Sequence, residues 1–309
     1  MKARPSLMER CLAVPSRIYR ARTAYLFLLP GLVLFVLFLI YPMAYSLRIS
    51  FYDWNVIKPL KSEFVGLDNY KALLADPIFR RAVLNTLAYT AITVPAQMIL
   101  ALAVAILLDQ RIRGKTFFRV AYYLPVITSW VIVTLIFEYL FNSQAGLINY
   151  LLRDLLGLVG EPIRWLADPI LTMVPINLLG IWKGVGWSAI ILLAALQAIP
   201  AELLEAAAID GAKPGKRFWT IVFPLLSPTV FFLIVVNIVY AFFDTFGVIH
   251  TITDGGPNHA TDIMVFKVYH DGFLSLDLGG SAAQSVVLMF VVITLTVIQF
   301  RYIERKVHY

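Results

Sequence analysis

Three ionisable side chains stand inside stretches of the sequence that are otherwise apolar: Glu138, Lys183 and Asp244. A charge that faces lipid is costly, so an ionisable group at membrane depth usually faces a helix-bundle interior or a water-filled cavity. There such groups can bind a polar solute and give it a route through the bilayer. The residue types therefore indicate recognition and passage of a solute.

Lys183 has the most informative neighbours, since Trp182, Gly184, Gly186 and Trp187 flank it. Glycines are expected to loosen or break a span here, as in transporter helices that line a binding site. Aromatic faces suit the apolar side of a sugar, and a cation suits a phosphate group. The alternative is a lysine that snorkels to the membrane interface, and the sequence leaves both interpretations open.

Other polar residues in the apolar stretches extend the candidate pathway, although each also has a structural interpretation. Glu138 can lie at an interface, and Asp244 can anchor a loop. Gln97 beside Pro95 can satisfy a kinked backbone, and Asn237 can bridge two helices. The residues predicted to line the translocation pathway or bind solute are Lys183, Trp187, Asn237, Tyr240, Asp244, Gln284 and Glu138.

The sequence offers no support for an enzyme or a metalloprotein. A single cysteine, Cys11, excludes a disulfide framework and a thiolate metal cluster. The four histidines show no metal-ligand spacing on a helix, and the chain has no GxxxxGK[ST] phosphate loop. We therefore predict no catalytic residue, no metal and no cofactor bound by this chain.

Long apolar helices must position the candidate residues. The chain is 60% hydrophobic and 15% charged, whereas a soluble domain is about 25% charged. Crossing the hydrocarbon core takes about 20 mostly apolar residues, and the first such run is too long for a signal peptide. The six segments that qualify are 25–47, 84–108, 120–141, 170–195, 221–248 and 281–300. The predicted fold is an all-α polytopic membrane protein with six transmembrane helices.

The distribution of lysine and arginine predicts the orientation of these spans. Most of the 26 basic residues fall in four segments that an even number of spans places on one side: 1–22, 109–119, 196–220 and the C-terminal tail. The opposite loop 249–280 has one lysine against four aspartates, while loop 48–82 is ambiguous because it carries six basic residues. We predict that both termini are cytoplasmic. The net charge of +7 then reflects basic loops instead of nucleic-acid binding.

A short helix with clear boundaries is predicted in the cytoplasmic loop after the fourth span. Pro200 suits its first turn, Glu202 and Glu205 lie near its positive end, and Gly211 ends it. Pro214 suits the start of another short helix. An apolar stripe runs along the first helix: Leu203, Leu204, Ala207 and Ala208. The stripe requires a partner, which is either another protein or the membrane and the chain's own bundle.

The residues around this helix resemble a known motif. Glu205-Ala206-Ala207, three residues, Gly211, nine residues and Ile221-Val222-Phe223-Pro224 are similar to the EAA loop of binding-protein-dependent ABC permeases, in which leucine is usual at the Phe223 position. Further segments resemble the carbohydrate-type permeases of the MalF/UgpA group: Phe118, 122–125, Trp182, 241–246 and 253–257. The last third is most similar to the glycerol-3-phosphate permeases of that group. Residues 1–22 contribute least.

The resemblance implies a MetI-like ABC permease fold and the permease subunit of an ATP-driven importer in a bacterial inner membrane. It implies a cytoplasmic segment 1–22, a permease domain 23–304 with a coupling loop at 199–224, and a cytoplasmic tail 305–309. The short helix of the family docks on an ATPase subunit, which implies a coupling role for Glu205, Ala206, Ala207, Asp210 and Gly211.

The implied partners are a homologous second permease, two ATPase subunits that bind ATP and Mg²⁺, and an extracytoplasmic solute-binding protein. The implied solute is sn-glycerol 3-phosphate or a related glycerophosphodiester. A neutral sugar or an oligosaccharide is the alternative. A secondary transporter is more distant, because no coupling-ion site or two-fold repeat is visible in the sequence.

Overall fold

The computed structural model describes residues 22–110 and 113–303, and the regular secondary structure within them is almost entirely helical. The predicted N-terminal segment, apart from Arg22, and the predicted tail lie outside the described residues. The helices are α1 (Arg22–Ile49), α2 (Asp68–Ala75), α3 (Pro77–Asp109), α4 (Lys115–Ile127), α5 (Trp130–Leu140), α6 (Leu147–Asn149, continued by a π-helical turn over Tyr150–Leu155), α7 (Met173–Gln197), α8 (Ala201–Ile209), α9 (Pro214–Arg217, continued by a π-helical turn over Phe218–Val222), α10 (Phe223–Phe243), α11 (Phe246–Ile252), α12 (Met264–Tyr269, continued by a π-helical turn over His270–Leu274) and α13 (Leu278–Ile298, continued by a π-helical turn over Gln299–Ile303). Two short strands, β1 (Tyr52–Asp53) and β2 (Glu63–Phe64), pair antiparallel after α1.

Five helices in the described part of the chain are long and apolar enough to cross a membrane. They are α1, α3, α7, the nearly continuous run of α9 to α11, and α13. Helices α4 and α5 pass the same test together, although they bend by 98° at a short break. Counted as one span, the bent pair brings the total to six and confirms the prediction.

The bent pair must return the chain across the bundle once, because α3 and α7 run in the same direction. Thr93 donates a hydrogen bond of 2.9 Å to Asn177 along their contact. The C-terminal ends of the two helices also meet, since Gln197 donates to the Asp109 carboxylate at 3.4 Å. Two parallel helices need an odd number of crossings between them, and α4 and α5 provide it.

The third predicted span, 120–141, is two helices with a break between them and not one continuous helix. Thr128 and Ser129 adopt ψ values of 139° and 136°, which are extended and not helical. The hydroxyl of Thr128 turns back to donate to the Leu124 carbonyl at 2.8 Å. The mean hydropathy of the segment carries no information about this change of backbone direction.

Helix α7 lies at the centre of the bundle, against α3, α4 and α10. Its residues Ile176, Leu179 and Leu192 are fully buried. The expectation that Gly184 and Gly186 loosen or break this span is wrong, because α7 is continuous from Met173 to Gln197. In contrast, α1 buries no residue of its own among those described and touches the rest of the chain mainly through α13.

Candidate solute cavity and exposed short helix

A cavity of about 260 Å³ opens between α3, α7, α10 and the break between α4 and α5. Its lining combines aromatic rings, hydroxyls, amides, one ammonium and one carboxylate. Because a water molecule occupies about 30 Å³ in the liquid, the cavity has room for a small polar solute. The lining residues are Tyr89, Thr93, Val94, Gln97, Val126, Trp130, Gly180, Lys183, Gly184, Trp187, Asn237, Tyr240, Ala241, Asp244 and Thr245.

The structure brings most of the predicted pathway residues together at this cavity. Lys183, Trp187, Asn237, Tyr240 and Asp244 all line it, although the sequence did not place Lys183 and Asp244 at one depth. Their role in transport stays a prediction. The two other predicted residues, Gln284 and Glu138, lie elsewhere.

Lys183 is 6% exposed, and its ammonium makes three contacts. Nζ donates to the carbonyl oxygen of Pro125 at 2.8 Å and to that of Thr128 at 2.7 Å. It also lies 4.6 Å from the centroid of the Trp130 ring. The cation therefore lies at the carbonyl end of α4, where the helix dipole is negative. The side chain points into the bundle and does not snorkel to an interface.

The amides at the cavity wall connect helices. Asn237 donates to the Ser188 hydroxyl at 3.1 Å and to the Met98 sulfur at 3.5 Å, so it bridges α10 to α7 and α3. Gln97 lies against Gly184 of α7. Helix α3 is continuous through Pro95, and the expectation that Gln97 satisfies a kinked backbone there stays a prediction.

Asp244 and Tyr240 present polar groups to the cavity from the end of α10. Asp244 directly follows that helix as its C-cap, where its N–H donates to the Tyr240 carbonyl at 2.8 Å. Tyr240 is 46% exposed, and Asp244 is exposed as well. Both side chains are thus open to a solute, whereas the Lys183 ammonium is already bound to the protein.

Sequence reasoning missed the hydroxyl groups that α3 contributes to this region. Thr86, Tyr89, Thr90 and Thr93 are all buried, and the steps from Thr86 to Tyr89 or Thr90 and on to Thr93 are of three or four residues. That spacing places them on one face of α3, which was the available signal. Threonine and tyrosine hardly lower the mean hydropathy of a span, so a search for charged interruptions passes over them.

Gln284 belongs to an ion cluster at the end of the bundle where α3 begins. Lys267 pairs with Asp271 at 2.8 Å and with Asp76 at 3.1 Å, and Gln284 donates to Asp271 at 2.6 Å. Burial lowers the pKa of Lys267, but its hydrogen bonds to Asp271 and Asp76 and their charges outweigh burial, so the pKa is raised. Burial raises the pKa of Asp76, but the Ile78 N–H and the Lys267 ammonium outweigh it, so that pKa is lowered.

The short helix predicted after the fourth span is confirmed as α8 at the other end of the bundle. Pro200 lies immediately before it, and Gly211 ends it with a left-handed φ of 77°. The N–H of Ala212 donates to the Ala207 carbonyl at 2.9 Å, and that of Gly211 to the Ala208 carbonyl at 3.1 Å. This pair of bonds defines a Schellman motif. The second predicted helix, starting at Pro214, is confirmed as α9.

Helix α8 contains no buried residue among those described. Leu203 and Ile209 are 46% and 87% exposed, and Glu202 and Glu205 are exposed on the same helix. Arg217 donates to the Leu204 carbonyl of this helix at 3.3 Å. The exposed apolar side chains of α8 therefore form a surface that is available to a partner.

Comparison with known sequences identifies close relatives. Residues 72–309 match the family described as binding-protein-dependent transport system inner membrane component. The sn-glycerol-3-phosphate transport system permease protein UgpA of Agrobacterium fabrum is 44% identical over 92% of this chain and 96% of its own length. The proteins of the same name from Brucella abortus and Salmonella typhimurium are 45% and 41% identical, over 92% and 94% of this chain and 96% and 98% of their own.

Solved structures share the fold. A chain of a bacterial ABC transporter involved in the import of the acidic polysaccharide alginate superimposes with a TM-score of 0.79, at 24% identity over 94% of this chain and 98% of that chain. A second structure shows the alginate transporter in complex with a periplasmic protein that holds an alginate pentasaccharide, with a TM-score of 0.77, at 24% identity over 93% of this chain and 96% of that chain. At this level of identity the likeness concerns the fold alone.

Proposed function

The chain belongs to the family of binding-protein-dependent transport system inner membrane components, and we propose that it carries a phosphate ester, sn-glycerol 3-phosphate, through the cavity at Lys183. The observation that carries the proposal is the similarity to relatives: proteins more than 40% identical over nine-tenths of the chain are named as sn-glycerol-3-phosphate transport system permeases. An ammonium group at the wall of the cavity supports the same solute. Related glycerophosphodiesters belong to the same proposed solute class.

The chemistry of the cavity suits a small phosphate ester. Its phosphate carries a charge of about −1.5 to −2 at neutral pH, which the Lys183 ammonium can attract. Tyr89 adds a hydroxyl group that can donate to a phosphate oxygen, whereas the hydroxyls of Thr93 and Thr245 already donate to the Asn177 side chain and the Ala241 carbonyl. The hydroxyls of the glycerol part can donate to the exposed Asp244 carboxylate. The cavity thus offers an ammonium and a hydroxyl group to the phosphate end of the solute and a carboxylate to its glycerol end.

A neutral sugar is the second candidate, and a specific observation favours it. The Lys183 ammonium is already bound by the carbonyls of Pro125 and Thr128, whereas Asp244 and Tyr240 are free to meet hydroxyl groups. Trp130 and Trp187 also line the cavity, and indole faces suit the apolar side of a sugar ring. Transport of a neutral sugar alone would require no movement of Lys183.

Energy for transport comes, in this proposal, from partner subunits. The exposed α8 docks on an ATPase subunit, with Glu205, Ala206, Ala207, Asp210 and Gly211 at the contact. Alanine permits close approach, and Glu205 offers a charge for pairing. Two ATPase subunits bind ATP and Mg²⁺, a homologous permease completes the channel, and an extracytoplasmic protein delivers the solute.

The proposed location is the inner membrane of a bacterium, with α8 and both termini in the cytoplasm. The lysine and arginine distribution supports this orientation. The membrane domain at 23–304 then presents the Lys267 cluster and the loop after α11 to the outside, where the solute-binding protein arrives.

Uptake by the reconstituted complex tests the solute. We expect wild type to accumulate sn-glycerol 3-phosphate, and Lys183→Gln to lower this uptake by roughly tenfold or more, since a hydrogen bond to a charged group contributes about 1.5–3 kcal/mol. Lys71→Gln is the control, because Lys71 is exposed and paired with Asp68 at the surface.

Three outcomes contradict parts of the proposal. Wild-type uptake of a neutral sugar without any uptake of the phosphate ester rejects the solute. Equal losses for both solutes in Lys183→Gln make Lys183 a structural residue. Undiminished uptake in Lys183→Gln removes the residue from the pathway.

A further inference from the structure

The break between α4 and α5 leaves carbonyl groups that no helical turn satisfies. The last four carbonyls of any helix lack intrahelical partners, and within a bilayer no water replaces them. Here the Thr128 hydroxyl donates to the Leu124 carbonyl. The carbonyls of Pro125 and Thr128 receive the Lys183 ammonium, which comes from a different helix. One side chain of α7 therefore holds the end of α4 and the start of the break.

The same ammonium faces the cavity. Val126 and Trp130, on either side of the break, line the cavity together with Lys183. A lysine has three N–H donors, and the two carbonyls engage two of them. A solute that reaches Lys183 is consequently in contact with both halves of the bent pair.

The two halves of the bent pair rest on different neighbours. Helix α4 packs on α7, whereas α5 packs mainly on α11 and makes few contacts with α7. A change at the break can therefore alter the angle between α4 and α5 while each keeps its main contact. Such an arrangement has the parts of a hinge.

We propose that Lys183 is a latch that an anionic solute releases. A bound phosphate ester draws the ammonium away from the carbonyls of Pro125 and Thr128, and the angle between α4 and α5 then changes. This inference rests on the proposed function and deepens it, because it makes the solute's charge the signal. A doubly charged phosphate attracts an ammonium more strongly than two neutral carbonyls do. The hydroxyls of a neutral solute offer no such advantage, so they leave the latch closed.

Distance measurements across the break test the latch. Spin labels are attached to Val120→Cys on α4 and Leu135→Cys on α5, at positions that are 60% and 51% exposed, in a Cys11→Ser background. The complete complex with its partner subunits is measured by pulsed electron paramagnetic resonance without solute, with sn-glycerol 3-phosphate and with glycerol. We expect the distance distribution to shift with sn-glycerol 3-phosphate and to stay unchanged with glycerol.

Variants separate the latch from a merely structural lysine. Lys183→Met removes the donors, so its distances are expected to be shifted or broadened without solute and to be insensitive to sn-glycerol 3-phosphate. Lys183→Arg retains donors and is expected to keep the response, and Lys71→Met serves as the surface control. Should Lys183→Met fail to assemble, the wild-type and Lys183→Arg measurements decide the question.

Binding of radiolabelled sn-glycerol 3-phosphate to the same preparations separates the two ways of failing. Solute that binds without any shift overturns the latch and leaves the proposed function intact. A shift of equal size with glycerol also overturns it. Absence of both binding and transport of sn-glycerol 3-phosphate rejects the proposed function and the latch with it.

Discussion

Gly186 of α7 faces the backbone carbonyl oxygen of Tyr122 on α4 with no space for a methyl group between them. The neighbour is backbone, so it cannot turn aside as a side chain does. This contact fixes α4 to the central helix fewer than two turns before the break that Lys183 holds. The position of the cavity wall therefore depends on a residue without a side chain.

We predict that Gly186→Ala destabilises the protein by about 1–3 kcal/mol, the usual cost of overfilling a packed interior. Gly184→Ala is the matched control on the same helix, since the atoms nearest to its added methyl group belong to the side-chain amide of Gln97, which can move. Thermal denaturation of the purified protein in detergent measures both. A melting temperature for Gly186→Ala equal to or above that of Gly184→Ala contradicts the prediction.

The Lys267 cluster is predicted to stabilise the protein and to weaken in acid. Removing one partner of a buried ion pair costs about 3–5 kcal/mol, so Lys267→Met is expected to lower the melting temperature clearly. Lys71→Met is expected to have little effect, because that lysine and Asp68 are largely exposed.

The direction of the pH effect follows from Asp76, whose pKa is lowered in the folded protein. The contribution of the Asp76 carboxylate to the free energy of unfolding is fully present above the ordinary pKa of aspartate. It is lost as the pH falls through the lowered pKa of the folded protein. Asp76→Asn keeps a residue suited to cap α3 while removing the charge. Its melting temperature should vary less with acid pH than that of wild type, and parallel pH curves for the two proteins would refute the assignment.

Cysteine labelling in sealed cells tests the predicted orientation of the chain in the membrane. With Cys11 replaced, cysteines at Asn258 and Gln144 should react with an impermeant thiol reagent, and one at Lys213 should not. All three positions are exposed in the chain, so a difference in reaction reports the side of the membrane. Labelling of Lys213→Cys from outside would reverse the orientation.

The number of spans and the family were predictable, because apolar length and the spacing from Glu205 to Pro224 are properties of the sequence itself. The MetI-like permease fold that the motif implied is confirmed by the likeness to solved ABC transporter chains. The break at Thr128 and Ser129 was not predictable from hydropathy. The partners of Lys183 depend on that break, and the position of Lys183 and Asp244 at one cavity depends on the register between α7 and α10.

The exposed helix α8 leads to a prediction about coupling. Gly211 has a φ of 77°, which proline cannot adopt because its ring holds φ near −65°. Gly211→Pro also removes the N–H that donates to the Ala208 carbonyl. The end of α8 is therefore expected to change direction while the distant spans still insert. Gly215→Ala is the control, because an added methyl group there meets open space.

Glu205→Ala tests the charge on the same helix without altering its backbone. Alanine favours a helix, so α8 should persist, and the loss is confined to one exposed carboxylate. In the reconstituted complex we expect ATP hydrolysis to continue while uptake per ATP falls, and the same for Gly211→Pro. Glu202→Ala removes another exposed carboxylate three residues earlier and is expected to have a smaller effect. Uptake per ATP that stays at the wild-type level in both Glu205→Ala and Gly211→Pro, with the ATPase subunits still bound, would mean that the contact lies elsewhere on the chain. Dissociation of the ATPase subunits from Glu205→Ala would instead assign the carboxylate to assembly, since coupling requires a complex that stays together.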